Sequence, residues 1–297
     1  MSSKTFRKPN TLRVSGEVLY LSRVEVERLS IPMKDVIGVV EEAFRERGEG
    51  KAEMPPKPQI CPRKDAFINA MPAYLPKMGS AGVKWVSGFP ENPKHGLPYI
   101  LGLLILNDPE TGMPVCVMDC TWITAKRTGA ATAVAAKHLA RENSKIVGIL
   151  GCGVQGRSNL EALTVMCRNL EEVKAYDVNE ENLQRYVEEM TAKHGLKVVP
   201  VDSPKDAVEN SDIVVTAGPI LEHPQPVIEA SWFKDGGFAC VLDEDSYWKP
   251  EAMHFMDKFC TDDRDQLAYY RKLGYFSTIP SVYADLGEIV SGKKLGR

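Results

Sequence analysis

Residues 145–156 read Lys-Ile-Val-Gly-Ile-Leu-Gly-Cys-Gly-Val-Gln-Gly, a short apolar strand that runs into G-x-G-x-x-G. A polar, helix-compatible stretch follows from Arg157 to Cys167, and a second strand, Val173-Lys-Ala-Tyr, closes on Asp177. These residue types in this order suit the binding of a pyrophosphate. Gly151 permits a tight turn off the strand, Gly153 lets the backbone approach the phosphates, and Gly156 lets the helix pack on the sheet. Val154 and Gln155 lie between them, where a helix N-terminus offers free N–H groups and a positive dipole end. Asp177 stands about twenty residues beyond Gly156, placed to accept hydrogen bonds from an adenosine ribose. Its charge would repel a 2′-phosphate, so NAD(H) is expected over NADP(H). The competing reading is a glycine-rich turn in some other α/β protein, which strand, glycines, helix, strand and acid in succession argue against.

The surrounding pattern alternates as such a site requires. Strands are expected at 146–150, 173–176, 197–201, 212–216, 238–242 and 258–261. An amphipathic helix from Glu180 to His194 carries Leu183, Tyr186, Val187 and Met190 on one face and stops at Gly195. Ser203-Pro-Lys-Asp206 caps a shorter helix. Six strands with crossovers predict a doubly wound parallel sheet. Upstream, Ser22-Arg-Val-Glu25 is a capping box. Pro32 opens a helix from Met33 to Arg47, with Val36, Val39, Val40, Ala43 and Phe44 at helical spacing. Residues 66–71, 81–86, 99–106 and 114–118 read as strands of an antiparallel or mixed sheet, with a hairpin turn at Asp108–Gly112. Residues 122–141 are alanine-rich and helical, and 262–297 read as helix and loop returning to the first domain. The fold class is therefore α/β, a Rossmann sheet at 122–274 plus a smaller α+β domain from 1–121 with 275–297.

With 297 residues, 43% hydrophobic and 26% charged, the chain has the composition of a globular protein of two domains. A net charge of −3 argues against a general nucleic-acid or membrane-surface binder. The N-terminus is polar through residue 17 without an apolar core of a signal, and the apolar run from Tyr99 to Leu106 is too short to span a bilayer. Seven scattered cysteines without a C-x-x-C point to free thiols in a reducing cytoplasm. Cys152, inside the glycine turn, is read as a small filler. The histidines at 95, 138, 194, 223 and 254 show no ligand spacing, so no metal is expected.

Ile123-Thr-Ala-Lys-Arg-Thr-Gly-Ala-Ala-Thr-Ala, His138-Leu-Ala-Arg141 and Gly151-Cys-Gly-Val-Gln-Gly156 together resemble the ornithine cyclodeaminase/μ-crystallin family. Met71-Pro-Ala-Tyr74, Gly82-Val-Lys84, Asn92, Thr111-Gly-Met-Pro114, Met118-Asp119, Leu286-Gly-Glu-Ile289 and Gly296-Arg297 extend the likeness over nearly the whole chain, in the family's order. The resemblance implies a nicotinamide nucleotide and chemistry at a Cα that becomes, or begins as, an imine. The family spans cyclodeaminases, alanine dehydrogenases, ketimine reductases, opine-type synthases and hormone-binding μ-crystallins, so it leaves the reaction open.

By this resemblance Arg127 and Lys84 hold a substrate carboxylate, for which a guanidinium offers a bidentate grip. A lysine inside an apolar strand is costly to bury without a partner. Lys57, in Met-Pro-Pro-Lys, stands where many members carry arginine; a solvated loop lysine is the equal alternative. Lys84 is also grouped with the catalytic residues, and Thr128 beside Arg127 with the cofactor contacts. The family's acid/base aspartate falls on Asp245, with Asp243, nearer the strand end, as second choice. The family's Pro-Gly-Lys is replaced in Leu242-Asp-Glu-Asp-Ser-Tyr-Trp248, which speaks against ornithine itself as the substrate. Tyr247 and Trp248 either wall a different pocket or simply pack. Members usually continue beyond the Gly-Arg pair, whereas this sequence stops at Arg297, so a shortened chain or an uncovered domain edge is expected. A small amino or imino acid is the expected partner, and a homodimer through the strand-rich domain would cover its sheet edges. The alternative function is a non-catalytic, nucleotide-dependent binding protein of the μ-crystallin type.

Overall fold

The two periodicities of the sequence separate into two sheets in the computed structural model, which describes residues 17–221, 225–276 and 278–297. The polar N-terminal stretch before Glu17 and His223 lie outside the described residues. The N-terminal half opens with β1 (Leu19–Leu21), α1 (Arg23–Arg28) and α2 (Met33–Gly48). The expected capping box forms, with the Ser22 hydroxyl and the Glu25 carboxylate satisfying each other's backbone N–H. On α2 the core face is carried by Met33, Ile37, Val40 and Phe44, while Val39 is exposed. The expected apolar stripe is therefore rotated, because Met33 and Ile37 meet the next long helix and Val39 falls outside that contact.

The chain continues through β2 (Gln59–Ile60), β3 (Phe67–Leu75), β4 (Ser80–Gly88), β5 (Ile100–Asn107) and β6 (Pro114–Asp119). The six strands form one mixed sheet in the order β1-β6-β5-β4-β3-β2, parallel only between β1 and β6. Register places Lys84 opposite Met71 and Leu104, and Trp85 opposite Ala70 and Leu103. Alternation along β4 then sends Lys84 and Val86 to the inner face and Trp85 to the outer one.

α3 (Thr121–Leu139) leads into the second sheet. There follow β7 (Ile146–Leu150), α4 (Val154–Met166), β8 (Glu172–Tyr176), α5 (Glu180–His194), β9 (Lys197–Pro200), α6 (Pro204–Val208), β10 (Ile213–Thr216) and β11 (Phe238–Val241). All are parallel, in the order β11-β10-β7-β8-β9, the strand order of a dinucleotide-binding sheet. Leu183, Tyr186 and Met190 of α5 are buried against it as their spacing predicts, and Gly195 ends the helix with φ +65°.

The sheet has five strands rather than six. After α7 (Pro250–His254), the segment expected to add a sixth contributes only β12 (Cys260–Thr261). α8 (Arg264–Lys272), β13 (Ala284–Asp285) and α9 (Leu286–Val290) complete the chain, and β12 pairs with β13 in a separate parallel ribbon. Hydrophobicity marked β12 as extended; the returning C-terminal segment supplies its partner. That segment docks on the N-terminal half: Arg47 of α2 pairs with Asp263 at 2.7 Å, and Arg45 donates to the Val290 carbonyl.

Candidate active site

The C-terminal ends of β7, β8, β10 and β11 open into a cavity of about 2040 Å³, whose other wall is the inner face of the mixed sheet. That exceeds the roughly 300–1,000 Å³ of an ordinary small-ligand pocket and leaves room for a dinucleotide beside a small acid.

Three glycines shape the phosphate end. Gly151 turns off β7 with φ +99°, where a side chain would be strained and would meet the Ala217–Gly218 peptide. Gly156 sits so close beneath that a Cβ would lie 2.2 Å from the Gly151 carbonyl oxygen. Gly153 is different: beyond its own chain neighbours, no atom of the described residues comes within 4 Å of the position a Cβ would take. It caps α4 without any side-chain hydrogen bond, so the N–H groups of Val154, Gln155 and Gly156 face the cavity end of the helix. The helix starts inside the motif, three residues earlier than the polar stretch from Arg157 suggested.

Asp177 follows β8 and lines the cavity. Its Oδ2 accepts from the Cys152 N–H at 2.7 Å and the Asn182 amide at 2.8 Å, and Oδ1 accepts from the Asn179 N–H. The carboxylate is thereby fixed beside the glycine turn. Cys152 is fully buried, and burial pushes its thiol up to about 12, so it is an inert filler. These residues fit a dinucleotide: an open backbone position over the helix N-terminus and an oriented acid beyond it.

The substrate end is built on α3. Thr121, Thr124, Ala125, Thr128, Ala131, Thr132 and Ala135 line the cavity at helical spacing, while Ala130, Ala133 and Val134 pack on α2. Gly129 brings α3 against α4, where a Cβ would lie 2.4 Å from the Ser158 carbonyl oxygen. Thr128 donates to the Thr124 carbonyl at 2.8 Å.

Arg127, Lys84 and Lys57 meet here from α3, β4 and the loop before β2. Lys84 is 9% exposed, and among the described residues its ammonium has a single side-chain partner, the Thr124 hydroxyl at 3.4 Å. Burial, then the Arg127 and Lys57 charges, drive it well below the usual lysine range. Burial also lowers Arg127, partly offset by Asp262. Lys57 lies 4.8 Å from the centre of the Tyr270 ring and is lowered by burial, with Arg127 adding to the shift and Asp262 and Glu244 opposing it. Among the described residues none of the three cations forms an ion pair. Mutually repelling, desolvated cations that only more distant carboxylates offset describe a receptor for an anion, and the Arg127 fork suits a carboxylate.

The two aspartates part ways. Asp243 is fully buried and absent from the cavity wall. It accepts from the Thr216 hydroxyl at 2.8 Å and the Gly218 N–H at 3.2 Å, and Thr216 in turn accepts from the Trp248 indole at 2.9 Å. Burial raises it to about 7. Asp245 faces the cavity and accepts from the Phe276 N–H at 2.7 Å. Trp248 belongs chiefly to the core, stacked on Phe233 at 5.2 Å, whereas Tyr247 lines the cavity against Gly218.

Glu244 was not singled out by the sequence. It has φ +59°, lines the cavity, and is raised to about 7 by burial, with Lys57 opposing and Asp245 and Asp243 adding. Asp262, after β12, is a further carboxylate on the same wall. The run Asp243-Glu244-Asp245 was the available signal, but a turn has no periodicity to tell which acid points inward.

Comparisons with known proteins converge on one family. A sequence model of the ornithine cyclodeaminase/mu-crystallin family matches residues 17–297. Alanine dehydrogenase of Archaeoglobus fulgidus is 39% identical over 289 residues, covering 95% of this chain and 86% of that protein. The structure of Thermococcus litoralis Delta(1)-pyrroline-2-carboxylate reductase with NADH and L-proline aligns with a TM-score of 0.84 at 39% identity, covering 94% of this chain and 88% of the other. An archaeal alanine dehydrogenase dimer with bound NAD aligns with a TM-score of 0.81 at 37% identity, covering 94% and 87%.

Proposed function

The chain belongs to the ornithine cyclodeaminase/mu-crystallin family, and from that premise we propose that it is an NAD(H)-dependent enzyme acting at Cα of a small amino or imino acid through an imine. The observation that carries this reading is the meeting of Lys57, Lys84 and Arg127, with no direct ion pair among the described residues, in the cavity that also holds the glycine turn. A passive binder of an uncharged ligand has no use for three desolvated cations, and the three relatives compared above are named as two alanine dehydrogenases and a reductase.

NAD(H), when bound, supplies or accepts the hydride at the substrate carbon. Gly151, Gly153, Val154, Gln155 and Gly156 hold its phosphates and Asp177 its ribose, with Thr128 on the helix face beside it. Arg127 and Lys84 grip the substrate carboxylate, and Lys57 adds a third charge from the loop before β2. This fixes the orientation of Cα, and the enclosing walls keep competing water away. Asp245 gives or takes the proton on the nitrogen side. Asp243 acts at one remove, bracing Gly218 and Thr216 beneath the site. The substrate range we propose runs from alanine and its 2-imino acid to cyclic ketimines, with cyclodeamination of a diamino acid as the redox-neutral variant.

We further propose residues 1–121 with 275–297 as the substrate and dimerisation domain and 122–274 as the nucleotide domain. The outer face of the mixed sheet exposes Tyr20, Trp85 and Leu103, an apolar surface suited to a second copy of the chain. No helix among the described residues is long and apolar enough to cross a membrane. Seven free cysteines suit the cytoplasm.

The deciding assay incubates the protein with NAD⁺ and a panel of L-amino acids while following nicotinamide absorbance and free ammonia together. Ammonia matched by NADH identifies a dehydrogenase, and ammonia without net NADH a cyclodeaminase. Oxidation of NADH by Δ1-pyrroline-2-carboxylate identifies a reductase. Inactivity in all three arms, with NADH bound, would overturn the proposal.

A further inference from the structure

We infer that Glu244 takes up a proton when a carboxylate ligand enters the three-cation site, so that binding of the acid loads the cavity with a proton. This rests on the carboxylate-binding role proposed above.

Glu244 follows β11 at a left-handed backbone position, φ +59°, a strained conformation for a non-glycine residue. The strained turn separates Glu244 from its neighbour Asp243. Asp243 is held beneath the site by Thr216 and Gly218, whereas Glu244 lies on the cavity wall with Lys57, Tyr99 and Tyr270. Its Oε2 is enclosed and has no hydrogen-bond partner among the described residues, an arrangement that costs a carboxylate more than a carboxylic acid.

The charged and titratable groups around Glu244 come from four elements. Lys57 approaches from the loop before β2, Asp243 and Asp245 from its own turn, Tyr99 from just before β5 and Tyr270 from α8. Asp262, after β12, acts on Lys57. Lys57 alone among them favours the ionised form of Glu244. A ligand carboxylate on Lys57, Lys84 and Arg127 cancels that support and adds a negative charge. Both effects drive Glu244 toward its acid form. Burial already holds it near 7, so a modest further rise carries it across neutral pH. One anion and one proton then enter together: the proton leaves the buffer and forms the O–H bond of Glu244. It is stored one residue from Asp245, in a site whose reductive reaction consumes a proton.

Lys84 competes for the same signal, since a bound carboxylate also restores its affinity for a proton. The test therefore compares variants. Titration calorimetry with saturating NADH and L-proline, L-alanine or pyruvate, in HEPES, Tris and tricine at pH 8, gives the protons taken up per ligand from the dependence on buffer ionisation enthalpy. The wild type should take up about 0.5–1 proton at Glu244 in addition to any at Lys84. Glu244→Gln should still bind the ligand but take up about 0.5–1 proton fewer than the wild type, and Glu244→Asp should retain the uptake. Equal uptake in Glu244→Gln and wild type, or ligand binding by the wild type without uptake, overturns this inference alone. Failure of the NADH-bound wild type to bind any of the carboxylates overturns it together with the functional reading.

Discussion

Replacing Lys84 by methionine should make the protein more stable and the enzyme worse. The two side chains are similar in volume, so packing between β4 and α3 is kept and only the ammonium is lost. In the free protein that ammonium is 9% exposed, faces Arg127 and Lys57, and has one long hydrogen bond, at 3.4 Å to Thr124. Exchanging poorly compensated buried charge for an apolar group gains about 1–2 kcal/mol, which in a chain of this size raises Tm by about 2–3 °C. The same ammonium is assigned a charge-assisted hydrogen bond to the substrate carboxylate, about 1.5–3 kcal/mol. Its removal should lower kcat/KM by about 12–160-fold. Thermal unfolding monitored by circular dichroism, with steady-state kinetics on the active substrate, measures both. Lys126→Met is the comparison. Lys126 is paired with Glu161 at 2.5 Å on the other side of α3, so its loss should lower Tm slightly and leave kcat/KM within about threefold. A fall in Tm for Lys84→Met with unchanged kcat/KM would show that Lys84 is structural and refute the reasoning.

Gly153→Ala should weaken NADH binding by about tenfold or more at unchanged Tm, because its Cβ meets only the ligand's space; Gly156→Ala should lower Tm, because its Cβ strikes the Gly151 carbonyl. Fluorescence titration of NADH and thermal melts separate the two. Asp177→Asn should shift the NADPH-to-NADH ratio of kcat/KM by about tenfold toward NADPH, since about 1.4 kcal/mol of charge repulsion is removed; an unchanged ratio would dissociate Asp177 from the ribose. Asp243 has a folded-state pKa raised by burial from 3.8 to about 7. Its contribution to stability is fully present below about pH 4 and is lost as pH rises through 7, at no more than about 1.4 kcal/mol per pH unit. Denaturant unfolding of Asp243→Asn between pH 4 and 7 should lack that decline, while a slope equal to wild type would contradict the shift. Leu103→Glu, on the outer sheet face, should convert a dimer to a monomer in analytical ultracentrifugation, and a dimer unchanged at micromolar concentration would remove that face from the interface.

The parts that the sequence made legible are those governed by short-range geometry. The three glycines have separate jobs that follow from their places in one turn, and the buried stripe of α5 follows from its spacing. The capping box at Ser22 and Glu25 forms for the same local reason. What spacing could not supply is choice of neighbour. β12 is extended as expected, yet pairs with β13 and not with the five-stranded sheet. Val39 fits the helical stripe of α2 but faces solvent, because α3 contacts a different part of that helix. Lys57, Lys84 and Arg127 come from three distant elements, and only the family likeness could join them before the fold was known. Within Asp243-Glu244-Asp245, proximity to the strand end drew attention to Asp243. That proximity is why it is buried under Thr216, while the turn delivers the next two acids to the cavity.

The Gly129 contact has a bearing on how this chain can change over evolutionary time. A helix advances about 100° and 1.5 Å per residue. Inserting or deleting one residue between Thr124 and Thr132 would therefore swing the cavity-lining positions onto the α2 side and move the glycine away from Ser158. Point changes along this stretch can retune the pocket, but its length is locked, because one turn of helix keys a neighbour on each side. Drift in length is left to the outlying connections, such as the hairpin at Asp108–Gly112, where no register is shared with either ligand.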